Sequence, residues 1–192
     1  MSSEQRHALD AMLRQSPLGA ISDVHELRRV FADIMSAQPL PPDLRTTAAT
    51  LGSVPTAETP AERVESAIGQ GAVTASPFGM ALVAASIANG STPAPTMIVG
   101  KPGVADRAIT PPPADVDAAL RSMMRETVTD GTARTLADLP NLEGKTGTAE
   151  YGEGTRPHGW FVGMDGDLAF AVFVAGADSS GPALEAAGRF LR

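Results

Sequence analysis

The sequence predicts an α+β fold in which helices precede a three-stranded antiparallel sheet. The sheet is indicated by Asp165-Gly166, a dipeptide typical of tight hairpins, between the apolar runs Gly159 to Met164 and Asp167 to Ala175. Leu142 to Glu150 supplies a third strand. Helices are indicated by apolar residues at helical spacing and by Ser76-Pro77, an N-cap followed by proline at the first helical position. Because both faces of the last strand are apolar, we expect it to lie inside a covered sheet.

Helices account for much of the chain before the sheet. Apolar spacing predicts them at Ala8 to Leu13, Val24 to Met35, Ala61 to Ile68, Ser76 to Asn89 and Asp115 to Val128, with a last one capped by Asp178, Ser179 and Ser180. Prolines at positions 39, 41 and 42 end the second helix, so we expect residues 1–43 to be a separate helical segment and 44–192 a second unit. Residues 91–113 hold six prolines and indicate an extended connector, with a short strand at 96–99.

Composition excludes several classes of protein. The chain has 192 residues, a net charge of −7 and no cysteine. The negative charge argues against a nucleic-acid-binding protein. The absence of cysteine excludes a disulfide scaffold, a thiolate metal site and a cysteine nucleophile. Met1 to Arg14 alternates charged and apolar residues, so we expect neither a signal peptide nor a membrane anchor there.

Lys145 to Thr148, on the first predicted strand, is the segment most able to carry chemistry. By itself it is a weak signal, and an exposed lysine on an ordinary strand is the simpler interpretation. A phosphate-binding loop is excluded because Leu139 stands where its first glycine belongs. A dinucleotide-binding loop at Gly69 to Gly71 lacks its third glycine. The histidines are scattered over separate elements, so we expect no metal site: His7, His25 and His158.

Seven segments, taken in order, carry a family resemblance. They are Ser66 to Gly71, Ala75 to Ala81, Ala85 to Gly90, Met123 to Val128, Gly131 to Ala133, Lys145 to Glu150 and His158 to Gly163. Together they resemble the C-terminal part of a penicillin-binding protein transpeptidase domain, of the class B lipoprotein kind found in actinobacteria. The resemblance covers residues 44–192 and implies a fragment of the serine D,D-transpeptidase fold that β-lactamases share. Residues 1–43 do not resemble this family.

The resemblance implies a chemistry for Lys145 to Thr148. The family uses a serine nucleophile on the carbonyl before the terminal D-Ala of a peptidoglycan stem peptide, or on a β-lactam ring, and forms an acyl-enzyme. By resemblance, Lys145 holds the substrate carboxylate, and Thr146 and Thr148 offer it hydroxyl groups. Gly147 lets the substrate backbone approach the strand edge, and the backbone N–H of Thr148 is an oxyanion donor. Neither a cofactor nor a metal is implied.

Two of the family's three catalytic motifs are absent from this sequence. Ile98 and Leu142 stand three residues before the only lysines, so there is no Ser-x-x-Lys. Ile87 and Leu139 stand two residues before the only asparagines, so there is no Ser-x-Asn. No catalytic nucleophile is identifiable, and we expect a domain fragment that is inactive alone.

Two other interpretations stay open. One is a non-catalytic module that binds a stem peptide or a partner protein. The other is a truncated or rearranged gene product without function, in which a foreign N-terminal segment is joined near residue 43. The family is membrane-anchored and works outside the cytoplasmic membrane, but the compartment of this chain is not predicted. Because the sheet would lack part of its usual cover, we expect marginal stability or self-association.

Overall fold

A computed structural model describes residues 51–95, 110–152 and 156–192. Within these ranges the chain forms β1 (Gly52–Ser53), α1 (Pro60–Ala67), β2 (Thr74–Ala75), α2 (Pro77–Asn89), α3 (Ala114–Thr129), a 3₁₀ turn (Arg134–Leu136), β3 (Leu142–Ala149), β4 (His158–Asp165), β5 (Leu168–Val174) and α4 (Gly181–Leu191). The predicted α+β class is confirmed. The two helices and the boundary predicted within the first 43 residues, and the strand predicted at 96–99, lie outside the described residues.

The three long strands form an antiparallel sheet in the order β3-β4-β5. The predicted hairpin between β4 and β5 is confirmed, but its predicted turn is wrong. Asp165 pairs with Leu168, so the central turn residues are Gly166 and Asp167. Of these two residues only Gly166 has a positive φ, of 58°, as in a type II′ turn.

The sheet lies between helices on both faces. One face carries Phe161 and Phe170 and packs against α4, the 3₁₀ turn and the end of α3, with Val128, Leu136, Leu142, Ala183, Leu184 and Ala187. The other face carries Met164 and packs against α2 and α3, with Leu82, Val83, Ile87 and Met124. Burial of these two apolar clusters against the sheet is what fixes the position of β3.

The prediction that β5 lies in a sheet covered on both faces is confirmed, because α2 and α4 pack against it from opposite sides, but β5 is an outer strand of the three described and stays partly exposed. Only one of its seven residues, Phe170, is buried. Leu168 is 40% exposed and Phe173 is 37% exposed. The apolar residues on the two faces reflect contact with helices on both sides of the sheet, and those helices leave the ends of this outer strand accessible.

The helix caps match the sequence at α2 and depart from it at α4. Ser76 accepts a hydrogen bond from the Gly79 N–H, and Gly90 ends α2 in the left-handed conformation. At α4 the N-cap residue is Ser180, but its side chain makes no cap hydrogen bond. Ser179 accepts from the Gly181 N–H instead, and the carboxylate of Asp178 binds Arg156 rather than the helix.

The short antiparallel pairing of β1 with β2 was not predicted from the sequence. It joins Gly52 to Ala75 and Ser53 to Thr74. Two residues from each strand are too few to produce a periodic pattern. In the described ranges, no helix combines the length and apolar character that crossing a membrane requires.

Candidate functional site

The outer edge of β3 is lined by backbone groups that do not face β4. Carbonyl groups on even-numbered residues accept hydrogen bonds from side chains: Leu142 from Arg125, Thr146 from Lys145, and Thr148 from Gln70. In an antiparallel strand, alternate residues direct both N–H and C=O away from the partner strand. We therefore place the N–H groups of Thr146 and Thr148 on the same outer edge. In the part of the chain that the structure describes, no further strand pairs with this edge.

The four predicted site residues lie on two faces of the sheet and meet at this edge. Lys145 pairs with Val162 and Gly147 with Trp160, on the face that packs against α2. Thr146 pairs with Phe161, on the face that packs against α4, and Thr148 follows on that face. A single ligand can therefore reach all four residues only along the edge of the strand.

The Lys145 side chain folds back over the edge of its own strand. Its Nζ donates to the Thr146 carbonyl at 2.6 Å. Although much of the residue is exposed, neighbouring protein atoms partly desolvate the ammonium, and this burial lowers its pKa below the ordinary lysine value. The ammonium has three donors, so one bond to the strand leaves it able to bind an anion as well.

Thr146 is buried, and its hydroxyl group already has a partner. The residue is 6% exposed, and its Oγ1 lies 2.6 Å from Oγ1 of Thr132, which follows α3. Thr132 belongs to one of the segments that carry the family resemblance, but no role was predicted for it. This bond ties β3 to the segment that follows α3, and the predicted role of the Thr146 hydroxyl toward a carboxylate stays a prediction. Thr148 is exposed.

Gly147 allows close approach on the α2 face. A Cβ atom at this position would lie 3.3 Å from Cβ of Trp160 on β4, which is tighter than ordinary van der Waals contact. Even a methyl group would therefore press on Trp160. The absence of a side chain keeps the backbone of β3 accessible next to Lys145.

Aromatic side chains surround this end of the sheet. Tyr151 stacks on His158 with ring centroids 3.9 Å apart, and Trp160 packs against Phe173 at 4.7 Å. His158 accepts a hydrogen bond on Nδ1 from the Gly176 N–H, so the proton of the neutral ring is on Nε2. This bond gives His158 a structural role.

Gln70 is the site residue that sequence reasoning missed. It follows α1 in a Schellman turn, in which the Gln70 N–H bonds the Glu65 carbonyl and the Gly69 N–H bonds the Ser66 carbonyl. Gly69 and Gly71 on either side have φ of 75° and 69°. These glycines are the signal in the sequence that the turn is fixed. The Nε2 atom of Gln70 donates to the Thr148 carbonyl at 3.0 Å.

A metal site is not indicated in the described part of the chain. No group of three or more His, Asp or Glu side chains there could hold a metal ion. The predicted absence of a metal and a cofactor stays a prediction.

Comparison with known proteins identifies similar domains. The family model of the penicillin binding protein transpeptidase domain matches residues 46–191. PBP2 of Pseudomonas aeruginosa in complex with WCK 5153 is 24% identical with a TM-score of 0.65, and the match covers 88% of this chain and 41% of that one. Penicillin-binding protein A of Mycobacterium tuberculosis, as the penicillin G acyl-enzyme complex, is 26% identical with a TM-score of 0.60, covering 84% and 41%.

A third similar structure comes from work on how a peptidoglycan synthase complex coordinates polymerization and crosslinking. It is 28% identical with a TM-score of 0.70, and the match covers 97% of this chain and 35% of that one. No curated protein matches the chain. The chain thus spans about two fifths of the length of the first solved relatives.

Proposed function

This chain belongs to the penicillin-binding protein transpeptidase domain family, and we propose that the edge of β3 binds the carboxyl-terminal end of a peptidoglycan stem peptide. The same edge would bind the carboxylate and carbonyl of a β-lactam. The family is the one that cross-links peptidoglycan, and this chain lacks the serine motifs of that reaction. The proposed function is therefore recognition of the peptide without acyl transfer. The class B, actinobacterial subtype stays a prediction.

The observation that carries this proposal is the combination of Lys145 with the outer edge of β3. The Lys145 ammonium lies at an edge where a backbone N–H, that of Thr148, is directed away from β4. A peptide that lies along the edge can place its terminal carboxylate at the ammonium and its preceding carbonyl at this N–H. Gly147 lies between the two groups and lets the ligand backbone approach.

The residues have separate tasks in this arrangement. The Lys145 ammonium keeps its hydrogen bond to the Thr146 carbonyl and donates a second hydrogen bond to the ligand carboxylate. The Thr148 hydroxyl donates to the same carboxylate, and the Thr148 N–H donates to the ligand carbonyl. Thr146 holds the strand through its bond to Thr132. The bound carbonyl is polarised, but no nucleophile that the sequence identifies attacks it.

A titration with N-acetyl-D-alanyl-D-alanine, followed by amide NMR shifts of the full chain, tests the proposal. We expect saturable binding, with the largest shifts in β3, and a loss of affinity of about tenfold or more in Lys145→Ala, since a charge-assisted hydrogen bond is removed. Arg189→Ala, which removes a positive charge from an exposed pair on α4, is the matched control and should bind like the parent chain. Absence of binding at millimolar peptide would contradict the proposal.

Intact-mass spectrometry after incubation with excess benzylpenicillin tests the proposal that this chain binds its ligand without forming an acyl-enzyme. We expect an unchanged mass, because neither Ser-x-x-Lys nor Ser-x-Asn is present in the sequence. A stable increase by one benzylpenicillin would show that a serine of this chain is acylated. In that case recognition without acyl transfer would be wrong.

A further inference from the structure

The Gln70 side chain covers the acceptor that a peptide on the edge of β3 would need. Its amide Nε2 donates to the Thr148 carbonyl at 3.0 Å, across 78 positions of the sequence. The bond is exposed to solvent, so the Thr148 carbonyl can accept from another donor in place of the Gln70 amide. The carbonyl of Thr148 points to the same side as its N–H, the donor that the proposed function assigns to the ligand carbonyl.

Strand geometry determines which ligand group competes with Gln70. Two residues opposite each other in a hydrogen-bonded antiparallel pair exchange both N–H···O bonds. If the ligand's penultimate residue accepts from the Thr148 N–H, its own N–H is directed at the Thr148 carbonyl. That carbonyl is the one that Gln70 occupies.

The turn that carries Gln70 keeps the amide aimed at β3. The two bonds of the Schellman turn fix the backbone of Gln70 against the end of α1. At Gly71, a Cβ atom would lie 3.1 Å from Oε2 of Glu65, so this side of the turn is close-packed. Release of the Thr148 carbonyl therefore requires the Gln70 side chain to rotate, while the turn itself stays in place.

We infer that Gln70 is a specificity-determining residue, which competes with the penultimate N–H of a stem peptide for the Thr148 carbonyl. This inference rests on the proposed function. Ligands that only accept from the Thr148 N–H leave the Gln70 bond intact. Ligands that also donate to the carbonyl meet the Gln70 amide at the same oxygen and compete with it.

The test compares two ligands and three variants of the full chain by NMR titration. The ligands are N-acetyl-D-alanyl-D-alanine and its analogue methylated at the penultimate nitrogen, which lacks the competing N–H. Gln70→Ala removes the amide, and Gln70→Leu removes it while keeping side-chain bulk. Ser66→Ala on α1 is the matched control, because the Ser66 hydroxyl bonds only within its own helix, to the Arg63 carbonyl. Amide spectra and thermal melting confirm that each variant is folded.

We expect both Gln70 variants to bind the unmethylated peptide about three- to tenfold more tightly than the parent chain, since one hydrogen bond to the ligand is gained. They should bind the methylated analogue no better than the parent chain does, and Ser66→Ala should leave both affinities unchanged. Equal or weaker binding of the unmethylated peptide by the Gln70 variants would overturn the inference alone, as would an equal gain for both ligands. Absence of binding by the parent chain and the variants alike would overturn the proposed function and this inference together.

Discussion

The protonation of Lys145 links the environment of a single residue to ligand binding. Burial lowers the pKa of this ammonium below the ordinary value of 10.5. The charged form, which binds a carboxylate, is therefore lost as pH rises through the lowered pKa. Affinity for N-acetyl-D-alanyl-D-alanine should fall on that alkaline side, beginning at a lower pH than an exposed lysine would give.

Lys145→Arg provides the control for this pH dependence, because a guanidinium stays protonated over the whole range. Binding constants measured from neutral to alkaline pH, with circular dichroism to confirm the fold, should show a fall for the parent chain and a plateau for the variant. A parallel fall in both proteins would mean that another group controls the pH dependence.

The bond between the Thr132 and Thr146 hydroxyl groups predicts a coupling at the residue scale. Thr146→Val keeps the buried volume of the side chain and removes this 2.6 Å bond. The free energy of unfolding should fall by about 1 kcal/mol. A double-mutant cycle with Thr132→Val, measured by denaturant unfolding, should assign most of that loss to the pair. Additive effects of the two substitutions would show that the hydroxyl groups do not interact.

The residues that form the site differ in how far the sequence could predict them. Lys145, Gly147 and Thr148 stand in one short segment, and the resembling segments before and after it, rather than the segment by itself, marked them as candidates. Gln70 lies 78 positions away from its partner, and the bond depends on how α1 packs relative to β3. The glycines on either side of Gln70 indicate a turn from the sequence alone. They do not indicate which carbonyl the Gln70 side chain contacts.

At the scale of elements, close contact between β4 and the segment before α4 depends on Gly159. A Cβ atom there would lie 2.3 Å from the carbonyl oxygen of Ser179, a backbone atom that cannot turn aside. Gly159→Ala should therefore lower the free energy of unfolding by about 1–3 kcal/mol or more, as overpacking does. Thermal and denaturant unfolding measure the change.

Gly181→Ala is the matched control for this prediction. It adds the same methyl group at the start of α4, where the closest atom would be the Ser179 hydroxyl oxygen at 3.3 Å. Because alanine also favours the helix, stability should stay the same or rise. If Gly159→Ala were as stable as Gly181→Ala, the segment before α4 would not be held against β4.

Local sequence patterns predicted well which helices and strands exist, and predicted poorly what surrounds each of them. The α2 helix and the β4–β5 hairpin were predicted because caps, turn residues and apolar periodicity agreed over many residues. The partial exposure of β5 was not predicted, because an apolar residue contacts a helix at one position and solvent at another with the same sequence pattern. Lys145 and Thr146 lie on opposite faces because they are successive residues of a strand, but their partners on β4 depend on the register of strand pairing.

At the scale of the whole molecule, charge repulsion between copies opposes the attraction of exposed apolar surface in self-association. The chain carries a net charge of −7, which keeps copies apart. The outer strand β5 exposes 37% of Phe173 and 40% of Leu168, beside an edge that no further strand covers in the described residues. Such an edge is a template for pairing with another chain. Salt screens the repulsion and leaves the apolar attraction, so ionic strength separates the two terms.

We therefore predict self-association through β5 that increases with salt. Sedimentation velocity over a concentration series should show larger species at high ionic strength, and Phe173→Lys, which places a charge on this edge, should suppress them. Ile68→Lys is the matched control: that residue is 43% exposed at the end of α1, a helix that does not pack against β5, and its substitution should leave association unchanged. Equal suppression by both variants would mean that added charge, rather than the β5 edge, controls association. A monodisperse monomer with a sharp cooperative thermal transition at high salt would contradict the prediction, because the helices described here would then suffice to shield the outer strand.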